Sequence, residues 1–219
     1  MNARAVAATL LLGLAAAAPA GAQLRLSADG GLFNAQRRVL FPSGFREQTG
    51  MLLGGGAAVR LGRLHLGLGG VMGTLKGDGT DANRDVAMRS SALTLHVQAL
   101  PGVLVGGRFE VRRFDADGDV TMWKLMGASV RLEPGLGIEG LRAVAEVAIL
   151  PSSSVSLGPK LSVARQATVG ASYAPAGRPF AFRVAYRFER YDIAAAAQSG
   201  ERYEQFRGVV AEVGLRLGR

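Results

Sequence analysis

An all-β chain, closed as an antiparallel, up-and-down transmembrane barrel of about ten strands (with eight as the alternative), is the fold class this sequence predicts. Two segments near its end carry the prediction. Phe180, Phe182, Val184, Tyr186 and Phe188 alternate with Ala181, Arg183, Ala185, Arg187 and Glu189. After a polar break from Ala194 to Arg202, Val209, Ala211, Val213, Leu215 and Leu217 alternate with Val210, Glu212, Gly214 and Arg216. A period of two puts the two sets on opposite faces of a strand. One face is apolar along its whole length and the other carries arginine, glutamate and glycine, which is the pattern of a strand with lipid on one side and a polar lumen on the other.

Residues 1–22 read separately from the rest. Met1 to Arg4 is a short basic head, Ala5 to Ala18 an apolar run, and Ala20-Gly21-Ala22 a small-residue cleavage site before Gln23. These are the three parts of a secretory signal peptide, and the apolar run is shorter than the roughly 20 residues of a spanning helix. The expected domains are therefore a signal peptide at 1–22 and one barrel domain at 23–219.

In chain order the expected strands begin with Leu24 to Phe33, followed by a long polar connection from Asn34 to Glu47 that holds Arg37, Arg38 and Arg46. A strand from about Gln48 to Leu61 turns at Gly62-Arg63 into one running from Leu64 past Met72. Lys76 to Asp85 is a loop, Val86 to Leu100 the fourth strand, and Pro101-Gly102 the turn into a fifth from Val103. Asp115 to Asp119 is a turn into the sixth, where Lys124 shares parity with Met122 and Met126 and a bulge near Trp123 is expected. Glu133-Pro134-Gly135 closes that strand. The seventh alternates from Leu141 to Ile149, a loop runs from Pro151 to Ser162, and the eighth carries Ala167, Val169, Ala171 and Tyr173. Ala174 to Pro179 turns into the closing pair.

Connections then alternate between long and short, as in barrels with long loops at one membrane face and tight turns at the other. Aromatic residues near strand ends are expected to form interfacial girdles: Phe33, Phe114, Trp123, Tyr191 and Tyr203 at the loop end, Tyr173 and Phe180 at the turn end. Alternation alone also admits a soluble, lipocalin-like barrel with the apolar face inward around a greasy ligand.

The chain has no cysteine, which leaves no disulfide and no thiolate metal site, and a formal net charge of +9. Its arginines are spaced through strands, often near glutamates, so a charged lumen explains them better than a nucleic-acid surface. Signal peptide, alternating strands and asymmetric connections resemble the small outer-membrane β-barrel proteins of Gram-negative bacteria, over essentially the whole mature chain. That resemblance implies export to the outer membrane, assembly by the barrel-assembly machinery, and outer-membrane lipid and lipopolysaccharide as surroundings for a monomer. The family commonly ends on an aromatic residue, whereas this chain stops at Leu217-Gly218-Arg219.

The expected lumen charges are Arg108, Glu110, Arg112, Arg142, Glu146, Arg183, Arg187, Glu189, Glu212 and Arg216. Because isolated ions are costly in a low-dielectric interior, they should pair. A barrel of about this size is then filled, and its role is structural, adhesive or a minor, anion-favouring permeability. His65 and His96, the only histidines, are expected opposite each other in the lumen, as a hydrogen-bonded pair more than a metal site. Asp81-x-Asn83-x-Asp85 and Asp115-x-Asp117-x-Asp119 begin like calcium loops but lack the glycine and acidic residues that complete them. No cofactor is expected. Arg37, Arg38 and Arg46 are expected as surface-loop basic residues, able to meet lipopolysaccharide phosphates.

A lipid A-modifying or omptin-like enzyme is the further alternative. Against it, Ser90 and Ser91 lie about 17–20 Å from His96 at strand rise, and neither histidine is followed by the serine of a His-x-Ser pair.

Overall fold

A computed structural model describes residues 24–41, 44–78, 80, 84–157, 160–194 and 202–217. The signal peptide expected at 1–22 therefore lies outside the described residues. Ten strands follow in chain order: β1 (Leu24–Phe41), β2 (Gly44–Leu61), β3 (Leu64–Leu75), β4 (Val86–Leu100), β5 (Val103–Ala116), β6 (Asp119–Leu132), β7 (Leu141–Val155), β8 (Leu161–Tyr173), β9 (Phe180–Ile193) and β10 (Tyr203–Leu217). Each pairs antiparallel with its neighbours in sequence, and β1 also pairs with β10, so the sheet is a closed barrel with no free edge. Strands of 12 to 18 residues exceed the roughly 9–11 that cross a bilayer. The excess stands at the loop end, the end that carries residues 42–43, 76–85, 117–118, 156–160 and 194–202.

Side-chain direction separates the two barrel types that alternation left open. Leu53, Leu68, Val169 and Val184 are all more than half exposed on the outer wall, whereas Glu110 and Arg112 inside are at most 1% exposed. The apolar face points outward and the charged face is enclosed, so the lipocalin-like arrangement is not the one adopted.

Several expected boundaries are corrected. The polar connection from Asn34 to Glu47 is mostly strand: β1 continues to Phe41 and β2 begins at Gly44. Asn34, Gln36 and Arg38 still alternate with Ala35 and Arg37. A strand that has left the apolar band needs no apolar face, so its polarity mimicked a loop. For the same reason β7 continues through Pro151 to Val155 and β8 begins at Leu161, inside the stretch expected to be a loop. The connection 133–140 is longer than the expected tight turn.

No bulge occurs at Trp123. β5 and β6 pair without interruption from Ala116↔Asp119 to Val103↔Leu132, and the irregularity in β6 lies between Met126 and Ala128, against β7. Lys124 therefore points outward, on the same face as Met122 and Met126. The turn between β5 and β6 is Asp117-Gly118, both at positive φ (52° and 93°), the backbone of a two-residue hairpin whose twist matches that of its strands.

The expected loop-end girdle is also corrected. Phe33, Phe114, Trp123 and Tyr191 are buried inside the barrel, where they join Phe206, Leu52, Leu75, Met88, Leu125 and Leu150 in one apolar cluster. Trp123 packs edge-on against Phe114 at 4.8 Å and tilted against Tyr191 at 5.0 Å. At the other end Tyr173 does face outward, and Phe180 shares the outward parity of its partner Leu215.

Two measurements check this architecture. Trp123, the single tryptophan, should fluoresce at short wavelength and escape both aqueous iodide and lipid-borne bromine quenchers; strong bromolipid quenching would place it on the outer wall. A Cβ at Gly106 would stand 1.9 Å from the Leu95 carbonyl oxygen, whereas one at Gly69 finds its nearest neighbour at 3.5 Å. Gly106→Ala should then cost about 1–3 kcal/mol in urea unfolding from micelles, and Gly69→Ala should change stability by less than about 0.5 kcal/mol.

Candidate functional site

Inward-facing positions divide the lumen into three layers. The loop end is filled by the apolar cluster. Below it lies a buried ion network, and below that an open chamber reaches towards the end that carries Leu24 and Leu217.

The ion network is built on β5 and β9, whose inward positions are two residues apart. Arg112 is its centre: its Nη2 meets Glu189 Oε2 at 2.7 Å and also pairs with Glu110. Its guanidinium carbon lies 4.9 Å from the centre of the Tyr191 ring and 4.8 Å from that of Phe206, so the ion network and the apolar cluster share a boundary. Glu110 also accepts from Ser90 Oγ at 3.0 Å and Gln166 Nε2 at 2.8 Å, and pairs with Arg108 at 3.2 Å. Tyr191 donates its hydroxyl to Glu189 at 2.7 Å, and Arg187 pairs with the same carboxylate. Both carboxylates thus have several donors each, the condition under which buried charge is tolerated.

Pairing loosens towards the chamber. Arg108 reaches Glu146 at 3.4 Å, Arg183 reaches Glu212 at 3.3 Å, and Arg131 stands 4.0 Å from Glu146 while holding Glu133 at 2.5 Å. The chamber, about 210 Å³, has Arg108, Arg131, Glu146, Arg183 and Glu212 on one wall. Facing them are Gly54, Gly56, Gly67 and Gly69 on β2 and β3, with Asp29 on β1. At Gly69 a Cβ would stand in ordinary contact with the Gly55 carbonyl oxygen at 3.5 Å and displace nothing, so the glycines widen the lumen on this side.

Of the expected lumen charges, Arg108, Glu110, Arg112, Glu146, Arg183, Arg187, Glu189 and Glu212 meet in this network. Arg142 and Arg216 share the inward parity but sit exposed at the mouth, where Arg142 donates to the Glu133 carbonyl at 3.5 Å. Periodicity missed Arg131, because the register of β6 was open. It also passed over Ser90 and Gln166, whose parity with Glu110 and Arg187 was there to be read, and it took Tyr191 for an interfacial residue.

His65 and His96 are direct partners across β3 and β4. His96 Nε2 is 2.7 Å from Ser129 Oγ, while His65 Nε2 has no partner. No group of three candidate metal ligands occurs among the described residues. The surface-loop assignment of Arg37, Arg38 and Arg46 is corrected, since all three lie on strands. Arg37 points inward, pairs with Glu204 at 2.6 Å, donates to Gln48 at 2.7 Å and lies 4.8 Å from the centre of the Phe114 ring. Arg38 stacks on Phe45 at 3.9 Å and Arg46 on Phe41 at 4.7 Å. Asp81 and Asn83 lie outside the described residues. Asp85 is engaged by Lys76 at 2.5 Å, and Asp115 accepts from the Gly118 amide at 3.2 Å, so both serve local turns.

Glu110→Ala leaves Arg112 enclosed with one partner fewer and should cost about 3–5 kcal/mol in urea unfolding. Glu110→Gln combined with Arg112→Met removes acceptor charge and donor together and should cost less than the single change. A larger loss in the double variant would mean that the ion pair itself, more than its unpaired remainder, holds the barrel.

No protein-family model matches the sequence, and no curated protein matches it. Solved structures do. The outer-membrane protease OmpT from Escherichia coli superposes with a TM-score of 0.56 at 10% identity, over 90% of this chain and 97% of that one. The translocator domain of the autotransporter NalP from Neisseria meningitidis gives 0.42 at 13% identity, over 98% and 96%. Neisserial surface protein A gives 0.37 at 15%, over 90% and 99%. At these identities the likeness is one of fold: the chain resembles the outer-membrane β-barrels, as a ten-stranded, up-and-down member of that architecture.

Proposed function

We propose that this chain is a monomeric outer-membrane barrel, closed to solutes and without catalytic activity, that serves a structural or adhesive role in the envelope. The carrying observation is the apolar cluster at the loop end. Phe33, Phe114, Trp123, Tyr191 and Phe206 fill the cross-section above Arg112, so the chamber below is a blind vestibule. Membrane residence is supported by the outer wall. The outward runs Phe180 to Phe188 and Val209 to Leu217 match the roughly 9–11 residues of a spanning strand. Apolar surface continued around a whole barrel far exceeds the few hundred Å² that soluble proteins leave exposed.

The non-catalytic reading rests on where the titratable groups stand. His65 and His96 lie near the end opposite the loops, ten residues along β4 from Val86, about 33 Å at strand rise. Glu110, Glu146, Glu189, Glu204 and Glu212 are each engaged by arginine, so none of them is a free base beside a nucleophile; Asp29 stands between Gly56 and Gly214 on its neighbouring strands. The protease activity of the Escherichia coli protein is therefore not carried over to this chain. Export through the segment 1–22 and insertion by the barrel-assembly machinery complete the proposal.

Planar-bilayer recording tests it. The reconstituted mature chain should show no steady conductance, and the heat-modified and native forms should separate on a gel. Large, stable single-channel openings would refute the sealed lumen.

A further inference from the structure

The mouth opposite the loops carries a charge pattern that the paired network above it does not share. The last inward-facing residue of each strand at that end is Arg25 on β1, Arg60 on β2, His65 on β3, Arg131 on β6, Arg142 on β7 and Arg216 on β10. The other four strands end there on uncharged residues, so not one of the ten is acidic. No outward-facing described strand residue in the same half is charged either. The cations of this end are gathered on the inside.

Deeper in the lumen Arg108, Arg112, Arg183 and Arg187 each meet a carboxylate. At the mouth the acceptors run short. Arg131 takes Glu133, so Arg142 reaches only the carbonyl of that residue, at 3.5 Å. Arg60 donates to Gln98 Oε1 at 2.7 Å and to the Gly62 carbonyl at 3.2 Å, both uncharged. The Arg216 side chain meets no acceptor among the described residues, and neither do the buried Arg131 Nε and His65 Nε2.

These groups also converge. Arg25 and Arg60 are direct partners across β1 and β2, and like charges directly opposite one another destabilise a sheet. Arg142 and Arg131 stand three and four strands from β10 around the ring, yet both act on Arg216 as like charges, as does Arg25, with Glu133 as the opposing charge. Their side chains therefore reach towards one another across the opening. Immediately inside lies the chamber of about 210 Å³, room for about seven waters at their liquid volume.

We infer that this mouth and the chamber behind it form a binding site for a small polyanion, a compact molecule with two or more carboxylate or phosphate groups. Guanidinium forks match the oxygens of either group in pairs. An anion held between Arg142, Arg216 and the Arg25–Arg60 pair would turn their repulsion into bridging. A single negative charge would satisfy one arginine and leave the others opposed. The cations point into a closed ring and not onto a flat face, which favours a small ligand over a polymer. The site goes beyond the structural or adhesive role: it needs the closed ring but no passage through it.

Titration calorimetry of the mature chain in a nonionic detergent tests it, with citrate and pyrophosphate as probes and acetate as the monovalent control. One citrate or pyrophosphate should bind per barrel, at least about tenfold more tightly than acetate, and added salt should weaken it. Arg142→Gln/Arg216→Gln should weaken binding roughly tenfold or more, the scale of one lost charge-assisted hydrogen bond. Arg89→Gln/Lys124→Gln, which removes outward-facing cations nearer the loops, should leave it unchanged; heat-modifiability confirms folding of each variant. Binding of only one of the two probes would uphold the site and assign its anion class. Absence of saturable binding, equal affinity for acetate and citrate, or unchanged affinity in the folded Arg142→Gln/Arg216→Gln variant would overturn it. So would binding of heparin with neither small probe, since that places the partner outside the ring. A barrel that conducts ions and still binds citrate would overturn the sealed lumen and leave this site standing.

Discussion

Pairing of β1 with β10, from Leu26 opposite Leu217 to Leu40 opposite Tyr203, closes the ring on which the other features depend. In an apolar surrounding each unpaired backbone amide or carbonyl costs several kcal/mol, and a sheet with two open edges would expose a row of them. Closure removes both edges. It also fixes an inside and an outside, and that division turns a period-two pattern into an apolar outer wall and an enclosed lumen. Gly31 and Gly208 sit at this seam: a Cβ would meet the Ala211 carbonyl oxygen at 2.1 Å and the Asn34 carbonyl oxygen at 1.7 Å.

Once closed, the ring must be filled. The loop-end half is filled as a soluble protein fills its core, with aromatic and aliphatic side chains. The middle is filled with paired charge. Arg112 touches both regions, its charge held by Glu110 and Glu189 and its flat face against Tyr191 and Phe206. Arg37 does the same nearer the loops, with Glu204 on one side and Phe114 on the other. An arginine suits this border because its guanidinium is planar and weakly hydrated, able to accept an aromatic face and a carboxylate at once. Towards the opposite mouth the packing opens, with glycines on β2 and β3 and longer ion pairs across from them.

The outer wall shows a matching polarity along the barrel axis. Its apolar band has an uncharged border at one end and a cationic border at the other, and the strands extend well past the cationic one. Interior and exterior thus agree on direction. The filled, long-stranded end is also the basic end.

Strand number, the antiparallel order and the identity of most lumen charges were legible in the sequence, because strand parity is a local property that each residue carries with its neighbours. The seven tight or looped connections at Gly62-Arg63, Lys76 to Asp85, Pro101-Gly102, Asp117-Gly118, Glu133 to Gly140, Ala174 to Pro179 and Ala194 to Arg202 were visible as breaks in that parity, though the length of 133–140 was not. Polar strand such as Asn34 to Phe41 was not legible, since beyond the apolar band both faces are hydrophilic and alternation loses its contrast. Parity also does not say which face is inside. Only the closed sheet decided that Trp123 and Tyr191 pack inside the lumen, and that Arg113, Lys124, Arg165, Arg190 and Arg207 face outward at the loop-end border of the apolar wall. Those placements depend on the register between strands far apart in the chain, and a single strand's pattern does not contain its neighbour's register.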